Sequence, residues 1–209
     1  MRASSTQKNL ALTFGALLGW FAVALQLYLI IVNNSFSATE ALARFFTFFT
    51  ILTNMLVALC LTILFIRPGN GFFARSGTQA AIAAYITVVG VIYNIILRAL
   101  WAPQGWQLIV NELLHSVMPV YFIIYWLVFS PKTGLQWKNI LAWLVFPLAY
   151  LVLIMIRGAL SGWYPYPFVD VATLGYAKVM VNSAGMMVFF LLVSALFLAA
   201  GSAMGKRRG

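Results

Sequence analysis

Six apolar runs, each close to the length of a bilayer-crossing helix, leave this chain few ways to fold. They cover about 9–32, 42–66, 77–100, 107–129, 138–157 and 174–200. A helix needs roughly 20 apolar residues to cross the hydrocarbon core. A lone span in lipid satisfies its backbone polar groups only by becoming helical. The predicted fold is therefore all-α: one membrane domain over 1–209, a bundle of six transmembrane helices. The connections carry the breakers, at Asn33, Asn34 and Ser35, at Arg67 to Gly71, at Pro103 to Gly105, at Ser130 to Lys132, and at Ser161 and Gly162.

Only 8% of the residues are charged, against about 25% in a soluble domain, so this surface suits lipid and not water. The net charge of +10 would suggest nucleic acid in a soluble chain. Here the basic residues stand at the ends of apolar runs, where they read as topology signals and as contacts to membrane lipids; nucleic acid is not a predicted partner. Cys60 is the single cysteine, which excludes an internal disulfide and a Cys-based metal site. The first run, preceded by Arg2 and Lys8, is longer than a signal-peptide core and reads as a retained span.

Orientation follows from the Lys and Arg residues. One side of the six-span topology receives Arg2, Lys8, Arg67, Arg75, Lys132, Lys138, Lys206, Arg207 and Arg208; the other receives Arg44, Arg98, Arg157 and Lys178. This bias predicts cytoplasmic termini. Trp101, Trp106, Trp163 and Tyr164 then form an outer aromatic belt, with Trp126 and Trp137 marking the inner one. Gly15 and Gly19, extended by Ala11, form a small-residue ladder that permits close helix approach.

Polar residues inside a span are costly and invite a functional reading. On the second predicted helix Arg44, Thr47, Thr50 and Asn54 fall at spacings of three and four, making one stripe. Asn111, Glu112, His115 and Pro119 do the same on the fourth. Asn94 and Arg98 on the third, and Lys178 and Asn182 on the sixth, are each one turn apart; Arg157 ends the fifth. At 1.5 Å per residue, Thr47 and His115 lie roughly 8 Å and 13 Å below the outer helix ends. The inner halves of these helices are almost wholly apolar. The asymmetry predicts one pocket open toward the outer leaflet, not a channel.

His115, the only histidine, has three readings. It is a hydrogen-bonded packing residue, a metal ligand beside Glu112 with a third donor such as Asp170, or a general base. In the last case the imidazole takes the proton of a Thr or Ser hydroxyl, which is too weak an acid to attack an ester unaided. Thr47, Thr50, Thr53, Thr87 and Ser116 compete for the nucleophile's place, although a helical Thr often only bonds the carbonyl one turn back. Ser116 adjoins His115 in sequence and points about 100° away, so it is a poor partner. Arg44, Arg98 and Arg157 are headgroup anchors, or they recognise a fatty carboxylate or an oxyanion. Glu112 orients the imidazole or pairs with Arg98. The loop from Gly162 to Asp170, with Trp163, Tyr164, Pro165, Tyr166, Pro167 and Phe168, is a lid or an interfacial anchor.

The run from Arg44 to Thr50 resembles the aromatic-x-Thr-Phe segment of the androgen-induced protein family. The run from Asn111 to Pro119 resembles that family's segment with Asn, His and Pro. Arg157 and Gly158, with Trp163 to Phe168 and Asp170, are similar to a signature of its bacterial six-span, proline-containing branch. The family comprises multi-pass membrane hydrolases that use a Thr and a His to cleave fatty acid esters of hydroxy fatty acids. The resemblance covers most of the chain and implies Thr47 and His115 as the catalytic pair. Thr50 stands where the animal members carry an acidic residue.

The combined expectation is an integral, multi-pass protein of the bacterial cytoplasmic membrane that hydrolyses lipid-like esters, with no cofactor. Thr47 attacks, His115 is base and then acid, and Asn111, Asn54 or Arg98 supplies oxyanion donors. Arg44, Asn94, Glu112, Arg157, Asp170 and Asn182 support the site. The alternatives are a non-catalytic protein that binds or transports an amphiphile in the same pocket, and a structural subunit of a membrane complex.

Overall fold

A computed structural model describes residues 4–33, 35 and 37–206. Asn34, Arg2, Arg207 and Arg208, used above for a connection and for orientation, lie outside the described residues. Among the described residues there is no strand, and six helical stretches are long and apolar enough to cross a membrane. The first is α1 (Ser5–Val32). Ser4 and Gln7 open it by satisfying each other's free backbone N–H groups, at 3.1 and 2.8 Å.

The second predicted span is not continuous. A short helix, α2 (Ala38–Phe45), is separated from α3 (Phe49–Ile66) by three residues, Phe46 to Phe48. Phe48 is extended, at φ −80° and ψ 123°. The Thr47 carbonyl, freed by the break, accepts a 2.8 Å bond from the Tyr150 hydroxyl. The expected four-residue stripe therefore does not lie along one helix.

The third stretch is α4 (Ser76–Ile92), continued by a π-helical turn at Tyr93–Leu97 and a 3-10 turn at Arg98–Leu100. The fourth is α5 (Gly105–Glu112), a π-helical turn at Leu113–Val117, and α6 (Met118–Phe129). The fifth divides into α7 (Asn139–Trp143) and α8 (Val145–Ser161). The last, α9 (Val171–Lys206), is interrupted at Gly175, whose φ of 74° is open to glycine but strained for other residues.

The centre is α4, which packs against α3, α6 and α9. Lipid provides no hydrophobic drive between helices, so close approach depends on small residues and on polar links. Ala80, Ala81, Ala83 and Ala84 are all buried on α4. Gly15 and Gly19 serve α1 in the same way: a Cβ on Gly15 would strike Tyr121 and Leu61, and one on Gly19 would press on Ala58 and Met118.

Two prolines shape the helices that surround α4. Pro147 has no N–H for the carbonyl of Trp143, and the Tyr85 hydroxyl of α4 donates to that carbonyl at 2.5 Å. Pro119 leaves the carbonyl of His115 free in the same way, and Asn94, in the π-helical turn that continues α4, donates to it at 3.2 Å.

Two residues read as interfacial are interior. Trp126 is 1% exposed and packs edge-on against Phe197. Lys132 is 4% exposed; its ammonium lies over the Trp126 ring and donates to the carbonyls of Trp126 and Ser130, closing the end of α6.

Candidate active site

The polar groups gather where the α2–α3 break, the two π-helical turns and the loop 162–170 meet. His115 lies within the π-helical turn of the fourth stretch. Its Nδ1 is 2.9 Å from the Asn111 carbonyl oxygen. A carbonyl only accepts, so Nδ1 carries the proton, and in the neutral ring Nε2 presents a bare lone pair. That lone pair faces the Thr50 hydroxyl, with Oγ1 to Nε2 at 3.2 Å. The Tyr93 ring stacks on the imidazole, with centroids 4.1 Å apart and planes at 25°.

Thr47, expected opposite His115, does not supply this hydroxyl. Its Oγ1 donates to the Ala43 carbonyl at 2.6 Å. The break shifts the register so that Thr50, second residue of α3, faces the ring. The other candidates are placed elsewhere: Thr87 bonds the Ala83 carbonyl, Thr53 is buried with no hydrogen-bond partner among the described residues, and Ser116 donates to Glu112.

Three asparagines hold this arrangement through their amide donors. Asn54 donates to the Thr50 carbonyl at 2.8 Å and to the Leu114 carbonyl at 3.1 Å, tying α3 to the turn that carries His115. Asn94 bonds the Gly90 and His115 carbonyls at 2.8 and 3.2 Å. The Asn111 amide bonds the Tyr93 hydroxyl. Arg98 is bound by both Glu112 oxygens, at 2.5 and 2.6 Å. Glu112 therefore pairs with Arg98 and Ser116, and the imidazole is oriented by a backbone carbonyl. Asn54 spends both N–H groups on the Thr50 and Leu114 carbonyls, Asn111 spends one on the Tyr93 hydroxyl, and both Arg98 bonds to Glu112 run from Nη2.

The aromatic loop folds inward. Tyr166 reaches the start of α3, where the Thr50 N–H donates to its phenol oxygen at 3.5 Å. The amides of Phe49 and Thr50 have no carbonyl a turn earlier to bond, and both face the Tyr166 oxygen. Burial pushes the Tyr166 phenol above its ordinary range. Phe48 packs edge-on against Trp163 and Tyr166, and Asn182 of α9 holds the loop through the Phe168 carbonyl at 2.9 Å. Asp170, weighed as a third metal donor, caps α9 through the Ala172 and Thr173 amides and the Thr173 hydroxyl. The Thr173 hydroxyl bond holds its carboxyl below the usual range.

Arg44 and Arg157 converge on Glu40, at 2.6 and 3.5 Å, and both guanidiniums lie against the Trp163 ring, at 4.6 and 5.3 Å. The hydrogen bond from Arg44 holds the Glu40 carboxyl below its ordinary pKa. This cluster latches the loop at its outer edge. Lys178 is exposed.

Two chambers meet at Thr50, His115, Tyr93, Leu97 and Tyr166, all of which line both. One holds about 320 Å³ of water-accessible space and carries Gln26, Gln107 and Asn111 on its wall, with Trp101 and Pro165 toward the loops. The other is narrower, about 70 Å³, and is walled by Val88, Val89, Ile154, Met186, Met187 and Phe190 among others. Sequence reasoning singled out His115 and Thr50 and flagged the Tyr166 loop, but missed Tyr93 and Tyr150. An aromatic residue one place before an intramembrane Asn was the available signal for Tyr93. No protein-family model, curated protein or solved structure matches the chain.

Proposed function

We propose that this protein is an intramembrane hydrolase of lipid-like esters, with Thr50 as nucleophile and His115 as general base and then acid. The observation that carries the reading is the 3.2 Å contact from the Thr50 hydroxyl to an imidazole nitrogen whose opposite nitrogen is fixed on the Asn111 carbonyl. That tautomer is the one able to accept the hydroxyl proton.

Thr50 Oγ1 gives its proton to Nε2 and attacks the ester carbonyl. The negative charge that develops takes the place of the Tyr166 oxygen on the Thr50 N–H at the opening of α3, where the helix dipole also favours an anion. The imidazolium returns its proton to the leaving alcohol, and an acyl group remains on Thr50. The alcohol departs through the wider chamber, and water enters by the same route. His115 takes a proton from that water as it attacks the acyl carbonyl, then gives it to Thr50 Oγ1 as the bond to the acyl group breaks and the acid is released. The basic-residue bias supports cytoplasmic termini and an outward-facing loop 162–170; the bacterial cytoplasmic membrane belongs to this reading through the family resemblance. The resemblance to the androgen-induced protein family belongs to this reading, with the nucleophile moved from Thr47 to Thr50.

A fluorophosphonate probe tests it on the detergent-purified protein. Wild type and Thr47→Ala are expected to label, and Thr50→Ala is not. Labelling that survives in Thr50→Ala removes Thr50 from the mechanism. Ester binding without turnover in wild type would replace the hydrolase with the amphiphile-binding reading.

A further inference from the structure

Ser183 of α9 is 4% exposed, and its hydroxyl has no hydrogen-bond partner among the described residues. Thr47, Thr62 and Thr87 each bond the carbonyl one turn back, the usual resort of a hydroxyl in a helix; Ser183 does not. Other buried side-chain atoms also lack partners, but Ser183 alone among those residues lines either of the two chambers. It shares its helical face with Met186, Met187 and Phe190, which form the wall of the narrow chamber.

A buried hydroxyl without a partner is unfavourable, and more so where water cannot supply one. The two methionines beside it are unbranched and flexible, so this wall can yield to a chain in a way that Leu or Ile would resist. The narrow chamber suits the arm of the ester that stays attached to the enzyme. The alcohol must leave and water must enter before turnover is complete, and the wider, more polar chamber serves that traffic. The arm left in the narrow chamber is the acyl chain.

We propose that Ser183 binds an oxygen carried on the acyl chain, so that the chamber selects acyl groups bearing a hydroxyl or keto oxygen remote from the reacting carbonyl. A serine hydroxyl both donates and accepts, and fits either group. The assignment rests on the reading of Thr50 and His115 as a hydrolytic pair.

The test is made first on full-length Thr50→Ala protein in detergent, so that turnover does not intrude. Affinities are measured for methyl decanoate and for the set of its positional monohydroxy isomers. One or more isomers are expected to bind about fivefold more tightly than the plain ester, the gain of one net hydrogen bond. Adding Ser183→Ala is expected to bring that ratio to about one, the gain having rested on that bond. If no isomer is preferred, or if the preference survives Ser183→Ala, the inference is overturned. Turnover of the same esters by protein that retains Thr50 separates the two claims. A Ser183-dependent binding preference with no turnover sinks the hydrolase and keeps the chain-oxygen site. Turnover with no such preference sinks the site alone.

Discussion

Pro119 and Pro147 interrupt two helices on either side of α4, and the molecule treats them differently. At Pro147 a single side chain, Tyr85, closes the freed Trp143 carbonyl at 2.5 Å, and the chain resumes as α8. At Pro119 the disturbance spreads over the five-residue turn Leu113–Val117, and side chains from two helices repair it. Asn54 takes the Leu114 carbonyl and Asn94 the His115 carbonyl. The first break is a bend with its polar groups settled. The second is held open, and the lone pair on His115 Nε2 is aimed at a hydroxyl. A π-helical turn places a side chain where a regular helix cannot, which is why such turns recur at functional sites.

The largest expected effect breaks the pair itself. Thr50→Ala should lower ester turnover about 10³-fold or more, as removal of a nucleophile does elsewhere. Thr47→Ala should lie within a few-fold of wild type, because its hydroxyl serves only the Ala43 carbonyl. Equal losses in the two variants would put the functional centre at the break and not at the Thr50–His115 contact. Next, Pro119→Ala restores an N–H, lets the turn tighten and swings the imidazole. A displacement of about 1 Å costs on the order of 10²-fold, so kcat/KM should fall about 10- to 100-fold. Pro147→Ala should change it by less than about threefold. A similar loss in both would erase the contrast between the breaks.

Smaller effects sharpen the contrast. Tyr85→Phe leaves the Trp143 carbonyl without a donor in the protein interior. It should lower unfolding free energy by about 1–3 kcal/mol, read by thermal or denaturant unfolding in detergent, with little change in activity per folded molecule. Asn94→Ala should do the reverse. Asn94 lies at the exposed side of the bundle, so its loss costs less stability, and the released His115 turn should show as a several-fold fall in kcat.

How much of this was legible depends on whether the cause was local. The six spans follow from apolar length, while Pro119 was read as part of a stripe on a continuous span, although a proline inside a helix is a local sign of a break. His115 and Asn111 were legible as one face, although not that the Asn111 backbone would orient the ring. The break at Phe46 to Phe48 has no Pro or Gly to betray it. It is held by partners distant in sequence, the Tyr150 hydroxyl on the Thr47 carbonyl and the rings of Trp163 and Tyr166 on Phe48. Periodicity assumed a continuous helix there, and so set Thr47 opposite His115 where the structure has Thr50. The inward course of Tyr166 was unreadable for the same reason, since Pro165 and Pro167 stiffen the loop without saying which way it faces.

That third break, without a proline, depends on its latch, and the latch is titratable. Glu40 is shared by Arg44 and Arg157, and the bond from Arg44 holds its carboxyl below the ordinary value of 4.5. A carboxylate whose folded pKa is depressed stabilises the fold fully above its ordinary pKa, and that contribution is lost as pH falls through the lowered value. The latch should therefore hold across neutral pH and loosen only below 4.5. Tryptophan emission reports it, as the component that Trp163→Phe removes. That component should shift in acid in wild type, and in Glu40→Gln it should already be shifted at neutral pH and stay flat. An acid transition that persists in Glu40→Gln would mean that some other group holds the loop, and that the break between α2 and α3 is secured from within the bundle, by Tyr150, as firmly as the bend at Pro147 is secured by Tyr85.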